Sequence, residues 1–143
     1  MAHDVSDISL RELSKRAKRA GASCVRVEKP IKTPAFDHVV VDAPCSGVGT
    51  WRRCPDRRFK LSKNELKGLL RTQADILDIA QQYVKQDGRL SYMTCSLLTS
   101  ENGDQVAAFL KKHRDFSLLK EKQFSPAKTG TDGLYVAVME KKK

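Results

Sequence analysis

The sequence HVVVDAPCSGVG, residues 38–49, carries the main evidence for the architecture of this protein. It starts with a short β-branched run that is continuously apolar at its centre. Strands of this kind are typical of parallel sheets, in which both faces of a strand are buried. A loop follows at once and carries Asp42, Pro44 and Cys45. The stretch therefore predicts a buried strand with reactive side chains at its carboxyl end.

A second predicted strand also ends in a thiol. Residues 89–95 follow a turn at 86–88 and lead into Thr94-Cys95-Ser96. Between the two strands, the sequence Ser62-Lys63-Asn64-Glu65 is a capping box, and we expect its helix to run to about Lys85. In parallel sheets the functional loops lie beyond the carboxyl ends of the strands. We therefore expect Cys45 and Cys95 to share one cleft.

The rest of the chain continues the alternation of helices and strands. We predict a helix over residues 7–20, capped by Ser6 or Asp7 and stopped by Gly21, followed by a short strand over 23–27 and a surface loop over 29–35. A further helix is expected after Ser100, with these residues facing inward: Val106, Ala107, Phe109 and Leu110. Closing strands are expected over 116–119 and 134–139. This order predicts an α/β protein with a largely parallel sheet. We expect one domain, residues 1–143, with a flexible tail at about 140–143.

Length and composition are those of an ordinary globular domain. The chain has 143 residues, of which 40% are hydrophobic and 31% charged. A chain of this size buries enough surface to fold without a disulfide or a metal. The mean hydropathy is -0.49, and no apolar run is long enough to span a membrane. The first residues lack the pattern of a secretory signal, so we expect a cytoplasmic location.

The charge favours a polyanionic partner. Lys and Arg number 27 against 17 Asp and Glu, which gives a net charge of +10. The basic residues concentrate after Trp51, where only Asp56 and Glu65 oppose them. They are Arg52, Arg53, Arg57, Arg58, Lys60, Lys63, Lys67 and Arg71. The alternative is a solvated basic face that serves solubility alone.

The four cysteines are widely spaced. They form no C-x-x-C pair, and the three histidines do not cluster with them, so we expect neither zinc nor disulfides. Cys24 lies in the alternating segment and is predicted to be a core residue, and Cys54 is predicted to be incidental. A cysteine at the end of a strand usually serves packing. The open question is whether Cys45 or Cys95 is a nucleophile.

Five segments, in this order and between these strands, resemble the Sun/NSUN-type RNA cytosine-5 methyltransferases, a family that includes bacterial ribosomal RNA enzymes of the RsmB kind. They are Asp42-Ala43-Pro44-Cys45-Ser46-Gly47, Arg52-Arg53-Cys54-Pro55-Asp56, Thr94-Cys95-Ser96, Glu101-Asn102 and residues 131–137. The resemblance covers nearly the whole chain. It implies a Rossmann-like domain that uses S-adenosylmethionine to methylate RNA, with ribosomal RNA favoured over transfer RNA.

The resemblance also implies roles for individual residues. Cys95 is the expected nucleophile, which adds to C6 of the target cytosine, and Cys45 is expected to assist product release. Asp42 would bond the Watson–Crick edge of the base and, with Pro44, border the cofactor. Asp4 matches the acidic residue that holds the ribose hydroxyls of the cofactor. The expected phosphate contacts are Arg52, Arg53, Arg57 and Arg58.

The chemistry explains why such residues are needed. Cytosine C5 is too electron-poor to attack a methyl donor, and thiolate addition at C6 makes C5 nucleophilic. The attacking thiol needs a lowered pKa, which nearby positive charge provides. The target base must also leave its stack to reach such a pocket.

The sequence departs from the family pattern at its start. We find no first strand with a glycine-rich loop, and Glu28 gives no clear match to the acidic residue expected near the adenine. We therefore expect a catalytic-domain fragment whose sheet is incomplete. Such a sheet has free hydrogen-bonding edges, which favour self-association. We also expect the chain alone to bind S-adenosylmethionine weakly or not at all.

Two other functions stay open. One is a non-catalytic RNA-binding remnant that keeps the basic loop, and the other is a thiol-redox protein that uses Cys45 and Cys95. Individual residues have structural alternatives as well. Asp42 is also a residue type that caps turns, and Asp56 is expected to pair with a neighbouring arginine. Trp51 is either a packing anchor or a stacking surface.

Overall fold

A computed structural model describes residues 1–27, 36–59 and 61–142. The described residues form two compact units, one over 1–27 and the other from 36 onward. The single domain predicted from the sequence stays a prediction. The predicted loop over 29–35 lies outside the described residues, as do Glu28, Lys60 and Lys143.

The first unit contains one helix, α1 (Asp7–Arg19), as the sequence predicted. Ser6 caps it, because the Ser6 hydroxyl oxygen accepts a hydrogen bond from the backbone N–H of Ser9 at 3.2 Å. Gly21 follows the helix with φ of 65°, a left-handed conformation that glycine adopts without strain.

The short strand predicted over residues 23–27 is wrong. Only an isolated bridge forms there, between Ala2 and Val27. Cys24 is consequently exposed and not a core residue. Alternating side chains produce a strand only where a neighbouring strand continues the ladder, and no such neighbour exists among residues 1–27.

The second unit is built on a four-stranded sheet in the order β1-β2-β4-β3. The strands are β1 (Phe36–Asp42), β2 (Val84–Thr94), β3 (Phe116–Phe124) and β4 (Leu134–Lys141). The α/β class is confirmed, but the largely parallel sheet is wrong, because only β1 and β2 pair in parallel. β3 and β4 are joined by a short link, and strands joined in this way pair antiparallel.

β1 lies at the edge of this sheet, which corrects the prediction of a strand buried on both faces. Val41 is 7% exposed, whereas Val40 on the opposite face is 59% exposed. β4, which lies between β2 and β3, extends through Glu140 and Lys141, which the sequence assigned to a tail.

Three helices accompany the sheet: α2 (Lys63–Ala80), α3 (Gly103–Lys112) and the short α4 (Pro126–Thr129). The predicted capping box of α2 is confirmed, with reciprocal hydrogen bonds between Ser62 and Glu65. α2 ends at Ala80 rather than near Lys85, since a 3-10 turn follows it and β2 already begins at Val84.

The turn predicted at 86–88 lies inside β2. Asp87 has φ of 60°, and the register of β2 against β1 shifts between Phe36 and His38. The turn residues thus form an irregularity within a strand and do not end a helix. Similarly, Asn102 rather than Ser100 precedes α3, because a 3-10 turn (Thr99–Glu101) intervenes.

The core lies where α2 and α3 pack against the sheet and against each other. Its buried apolar residues are Val41, Ala43, Leu77, Ala80, Val84, Leu90, Tyr92, Val106, Phe109, Phe116, Tyr135, Ala137 and Met139. Ala107, predicted to face inward, is exposed. No helix within the described ranges is long and apolar enough to cross a membrane.

Candidate active site

Two thiols meet where the parallel strands β1 and β2 end. Cys45 lies in the first cysteine loop, residues 43–50, which follows β1. Cys95 opens the second cysteine loop, residues 95–98, which follows β2. Because β1 and β2 are neighbours, their loops lie side by side, and the two Sγ atoms are 3.4 Å apart. Both side chains are half-buried, so the pair is closely packed yet reachable.

The pKa values of the two thiols are shifted in opposite directions. The hydrogen bond from the Cys45 thiol lowers the pKa of Cys95 to about 7, against the opposing effect of burial. The Arg57 guanidinium lowers this pKa further, whereas the Asp42 carboxylate raises it. The same hydrogen bond and burial raise the pKa of Cys45. Above about pH 7, Cys95 is therefore mainly the thiolate, and Cys45 is the thiol that donates to it.

Glycines set the shape of the first cysteine loop. Gly47 has φ of 68°, in the left-handed region. The N–H of Gly49 donates to the carbonyl of Cys95 at 3.0 Å, and the carbonyl of Gly49 accepts from the N–H of Gly133 at 2.9 Å. A Cβ on Gly49 would lie 2.1 Å from the Gly133 carbonyl oxygen. Only glycine fits this contact between the first cysteine loop and the residue that precedes β4.

Gly49→Ala is therefore expected to destabilise the protein by about 3 kcal/mol or more, because backbone must move to admit the methyl group. Thermal denaturation of the variant measures this loss. Gly68→Ala is the matched control: Gly68 lies in α2, and a Cβ there meets nothing within 4 Å. That substitution should stabilise by about 0.5–1 kcal/mol through helix propensity. Similar melting temperatures for the two variants would contradict the close approach at Gly49.

Behind the thiols lies a buried carboxylate to which the sequence assigned no role. Glu101 is 0% exposed. Its oxygens accept hydrogen bonds from Ser46, Ser96 and the side-chain amide of Gln73. Gln73 is also 0% exposed and donates to the carbonyl of Pro44 at 2.9 Å. A signal for Gln73 was present in the sequence, since it interrupts the apolar stripe of α2 one turn before Leu77.

The predicted RNA-binding arginines lie on residues 51–59 but differ in their surroundings. Arg57 is the one whose charge reaches the thiols. Arg53 pairs with Asp132, which partly neutralises it. Arg58 lies over the ring of Phe59 at 4.7 Å, and Arg52 is exposed.

Two further residues of the segment 51–59 are half-buried. Cys54 is one. The other is Trp51, whose buried Nε1 finds no partner among the described residues. The choice between packing and base stacking for Trp51 thus stays open.

A cleft of about 450 Å³ opens beside Cys45, within the size range of small-molecule sites. Its lining combines both charge signs with apolar side chains: Cys45, Ser46, Asp56, Arg57, Leu61, Glu65 and Leu69. No group of three or more metal-binding side chains occurs in the part of the chain that the structure describes.

The residues expected to border the cofactor are placed as follows. Asp42 and Pro44 are exposed at the end of β1, and the Asp42 carboxylate is near enough to Cys95 to affect its pKa. Asp4 belongs to the first unit, where one carboxylate oxygen accepts from the backbone N–H of Ser6 at 2.7 Å.

Comparison with known proteins places this chain in a family. The family model described as 16S rRNA methyltransferase RsmB/F matches residues 1–140. "Ribosomal RNA small subunit methyltransferase B" of Photorhabdus laumondii is 38% identical over 75% of this chain and 27% of its own length. The protein of the same name from Erwinia tasmaniensis is 33% identical over 99% of this chain and 36% of its own length. The chain thus spans about a quarter to a third of these relatives.

Solved structures agree with the sequence relatives. The crystal structure of PH0851 superposes with a TM-score of 0.90 at 29% identity, covering 96% of this chain and 36% of that one. NSun6 from Pyrococcus horikoshii, solved with SFG, superposes with a TM-score of 0.85 at 24% identity, covering 98% of this chain and 40% of that one. The match over residues 1–140 and the identities above 30% together show that the chain belongs to the RsmB/F methyltransferase family.

Proposed function

We propose that this chain is the catalytic-domain fragment of an RNA cytosine-5 methyltransferase that acts in the cytoplasm on ribosomal RNA, with transfer RNA as the less favoured substrate. One observation carries the proposal: the Sγ atoms of Cys45 and Cys95 lie 3.4 Å apart at the ends of adjacent parallel strands, with the pKa of Cys95 at about 7. The names of the relatives support ribosomal RNA as the substrate.

In the proposed reaction, the thiolate of Cys95 forms a bond to C6 of the cytosine, and the displaced electron pair moves toward N3. Asp42 holds a proton at the Watson–Crick edge, which stabilises the electron-rich ring. C5 would then take a methyl group from a bound sulfonium donor, whose sulfur would keep the electron pair of the broken bond and leave as a neutral thioether. A base removes the C5 proton, the bond between C6 and sulfur breaks, and the electron pair returns to Cys95. The Cys45 thiol assists this last step because its hydrogen bond stabilises the departing thiolate.

Charge supports RNA as the partner. The net charge of +10 attracts phosphates, and Arg57 both lines the cleft and lowers the pKa of Cys95 through its charge. Arg52, Arg53 and Arg58 stay predicted phosphate contacts, with Arg53 the weakest of them because Asp132 already pairs with it.

The proposed cofactor is S-adenosylmethionine, which supplies the methyl group when bound. The exposed carboxylate of Asp42 beside Cys95 fits a positively charged methyl donor, and Pro44 is the second residue of this unit proposed to border it. For Asp4, the contact with the ribose stays an expectation from the resemblance. No glycine-rich turn follows a strand in residues 1–27.

We therefore expect calorimetric titration of the isolated chain with S-adenosylmethionine to give binding much weaker than micromolar. The expectation rests on the lack of a glycine-rich turn after a strand in the described residues 1–27. Micromolar binding would contradict this expectation.

The function is tested with ribosomal RNA that contains 5-fluorocytosine. The fluorine at C5 cannot leave as a proton does, so methyl transfer leaves the RNA attached to the enzyme. Because cofactor binding should be weak, S-adenosylmethionine is added at millimolar concentration. The expected result is a covalent adduct on Cys95 that requires the cofactor, located by mass spectrometry of the linked peptide.

Other outcomes favour the alternatives. Salt-sensitive RNA binding without an adduct would indicate an RNA-binding remnant. A Cys45–Cys95 disulfide that forms and exchanges readily, without an adduct, would indicate a thiol-redox protein.

Self-association is proposed as a separate property, through the edge strand β1, where Val40 is exposed. Analytical ultracentrifugation checks it.

A further inference from the structure

Glu101 is a buried carboxylate whose hydrogen-bonding capacity is filled by neutral groups. Oε1 accepts from the backbone N–H of Ser46 at 2.8 Å and from Nε2 of Gln73 at 3.0 Å. Oε2 accepts from the hydroxyls of Ser46 and Ser96, each at 2.5 Å. Four donors satisfy the acceptor sites of an ionised carboxylate. Within the described ranges, no Lys or Arg forms an ion pair with Glu101.

The donors identify what the carboxylate joins. Ser46 follows Cys45 directly, and Ser96 follows Cys95 directly. A single side chain therefore holds the residue next to each sulfur, one in each cysteine loop. Gln73 adds a third connection, because the same amide nitrogen donates to the carbonyl of Pro44, the residue before Cys45.

Glu101 is itself fixed from the other side. The hydroxyl of Tyr92, fully buried in β2, donates to the backbone carbonyl of Glu101 at 2.7 Å. The next residue, Asn102, donates to the carbonyl of Ser96 at 3.0 Å and accepts from the hydroxyl of Thr94 at 2.6 Å. The carboxylate is thus anchored to β2 and reaches across to the loop after β1.

Stability alone is a poor explanation for this arrangement. A buried charge without a countercharge is expensive to desolvate, and apolar replacements of buried ionic groups are often neutral or stabilising. Fully satisfied polar networks instead fix one geometry among several. The geometry fixed here is the relative position of two loops whose thiols must be in contact.

We propose that Glu101 is a positioning residue: it holds the first and second cysteine loops together and thereby sets the contact between the Cys45 and Cys95 sulfurs. Its value for catalysis rests on the proposed methyltransferase function. The contact between the sulfurs is a property of the protein alone and is measured without RNA or cofactor.

Glu101 affects the pKa of Cys95 in two opposite ways, through its charge and through the position it gives the sulfurs. The direction in which this pKa changes in a variant therefore tests the proposal. The negative charge of Glu101 by itself disfavours a nearby thiolate, so its removal alone would lower the pKa of Cys95. Loss of the ties separates the sulfurs and removes the hydrogen bond that lowers this pKa most. Glu101→Ala removes both charge and ties. Glu101→Gln removes the charge but keeps the shape, with an oxygen for the Ser46 N–H and an NH2 group that donates to the serine hydroxyls.

The experiment measures the rate at which iodoacetamide alkylates Cys95 as a function of pH in the whole chain. Trypsin places Cys95 alone in the peptide of residues 90–111, so mass spectrometry reads it without interference from the other cysteines. For Glu101→Ala we expect the midpoint to rise by at least one pH unit, with the rate at pH 7 reduced about tenfold. For Glu101→Gln we expect a midpoint at or below that of the parent protein.

Leu77→Ala is the control for destabilisation, because it opens a cavity in the core between α2 and α3 and removes none of the side-chain hydrogen bonds that join the two cysteine loops. It should lower the melting temperature and leave the Cys95 midpoint unchanged. An unchanged or lowered midpoint in Glu101→Ala would overturn the proposal, as would an equal rise in Leu77→Ala. A raised midpoint in a protein that forms no adduct with 5-fluorocytosine RNA would keep the positioning role and reject the proposed function.

Discussion

Replacement of Cys95 by serine is expected to abolish methyl transfer, with a loss of about 10⁴-fold or more, which is the scale seen when a covalent nucleophile is removed. A serine hydroxyl does not ionise near pH 7, whereas the pKa of the Cys95 thiol is about 7. Incorporation of labelled methyl groups into RNA measures the loss. The adduct with 5-fluorocytosine should disappear as well.

Two controls separate this effect from general thiol chemistry. Cys24→Ser changes an exposed cysteine of the first unit and should leave methyl transfer intact. RNA binding by Cys95→Ser should equal that of the parent protein, because binding depends on the arginines. A Cys95→Ser variant that retained a tenth of the parent activity would reject covalent catalysis by this residue.

The same thiol predicts the pH dependence of the parent reaction. The thiolate is the reactive form, so the rate should fall as pH drops through about 7 and level off above it. A single-turnover profile between pH 5.5 and 9, measured at saturating RNA and cofactor, reports this midpoint. A rate independent of pH over that range would show that ionisation of Cys95 does not limit the reaction.

Replacement of Cys45 by alanine is expected to trap the enzyme on its substrate. Without the Cys45 thiol, the departing thiolate loses the hydrogen bond that stabilises it most, so the bond between C6 and sulfur breaks slowly. An RNA–protein adduct should accumulate on unmodified cytosine, and turnover should fall by about tenfold or more, as expected for a pKa rise of at least one unit. Denaturing gel electrophoresis detects the adduct.

Cys45→Ser is the matched variant, since its hydroxyl still donates a hydrogen bond to Cys95. We expect its adduct to persist for less time than that of Cys45→Ala, and its Cys95 midpoint to lie between those of the parent protein and Cys45→Ala. Rapid release of product by Cys45→Ala would contradict the role assigned to Cys45. An adduct that persists longer in Cys45→Ser than in Cys45→Ala would also contradict it.

The sequence predicts best what depends on neighbours along the chain. The capping box at Ser62 and Glu65 and the helix stop at Gly21 are local patterns, and the structure has both. The strand predicted over residues 23–27 and the burial predicted for both faces of β1 failed for a shared reason. Each depends on which strand lies alongside, and strand neighbours are set by tertiary structure.

The proposed site divides in the same way. Both thiols could be placed at the ends of β1 and β2 from sequence, because parallel neighbours end at the same edge of a sheet. Which of the two thiols ionises more easily could not be predicted in this way, since the low pKa of Cys95 depends on a 3.4 Å contact with a residue fifty positions away. Glu101 was visible as part of a motif, but its burial and its four donors arise only when three segments of the chain converge.

The hydrogen bonds of Gly49 have a consequence for the newly synthesised protein. Gly49 is held on one side by Cys95 and on the other by Gly133, which the ribosome adds well after both cysteines. A growing polypeptide therefore lacks one of the two anchors of the first cysteine loop until β4 has left the exit tunnel. During translation the Cys95 thiol should therefore keep the pKa of an ordinary cysteine. Stalled chains that stop short of Gly133 should react with alkylating reagents more slowly than completed ones.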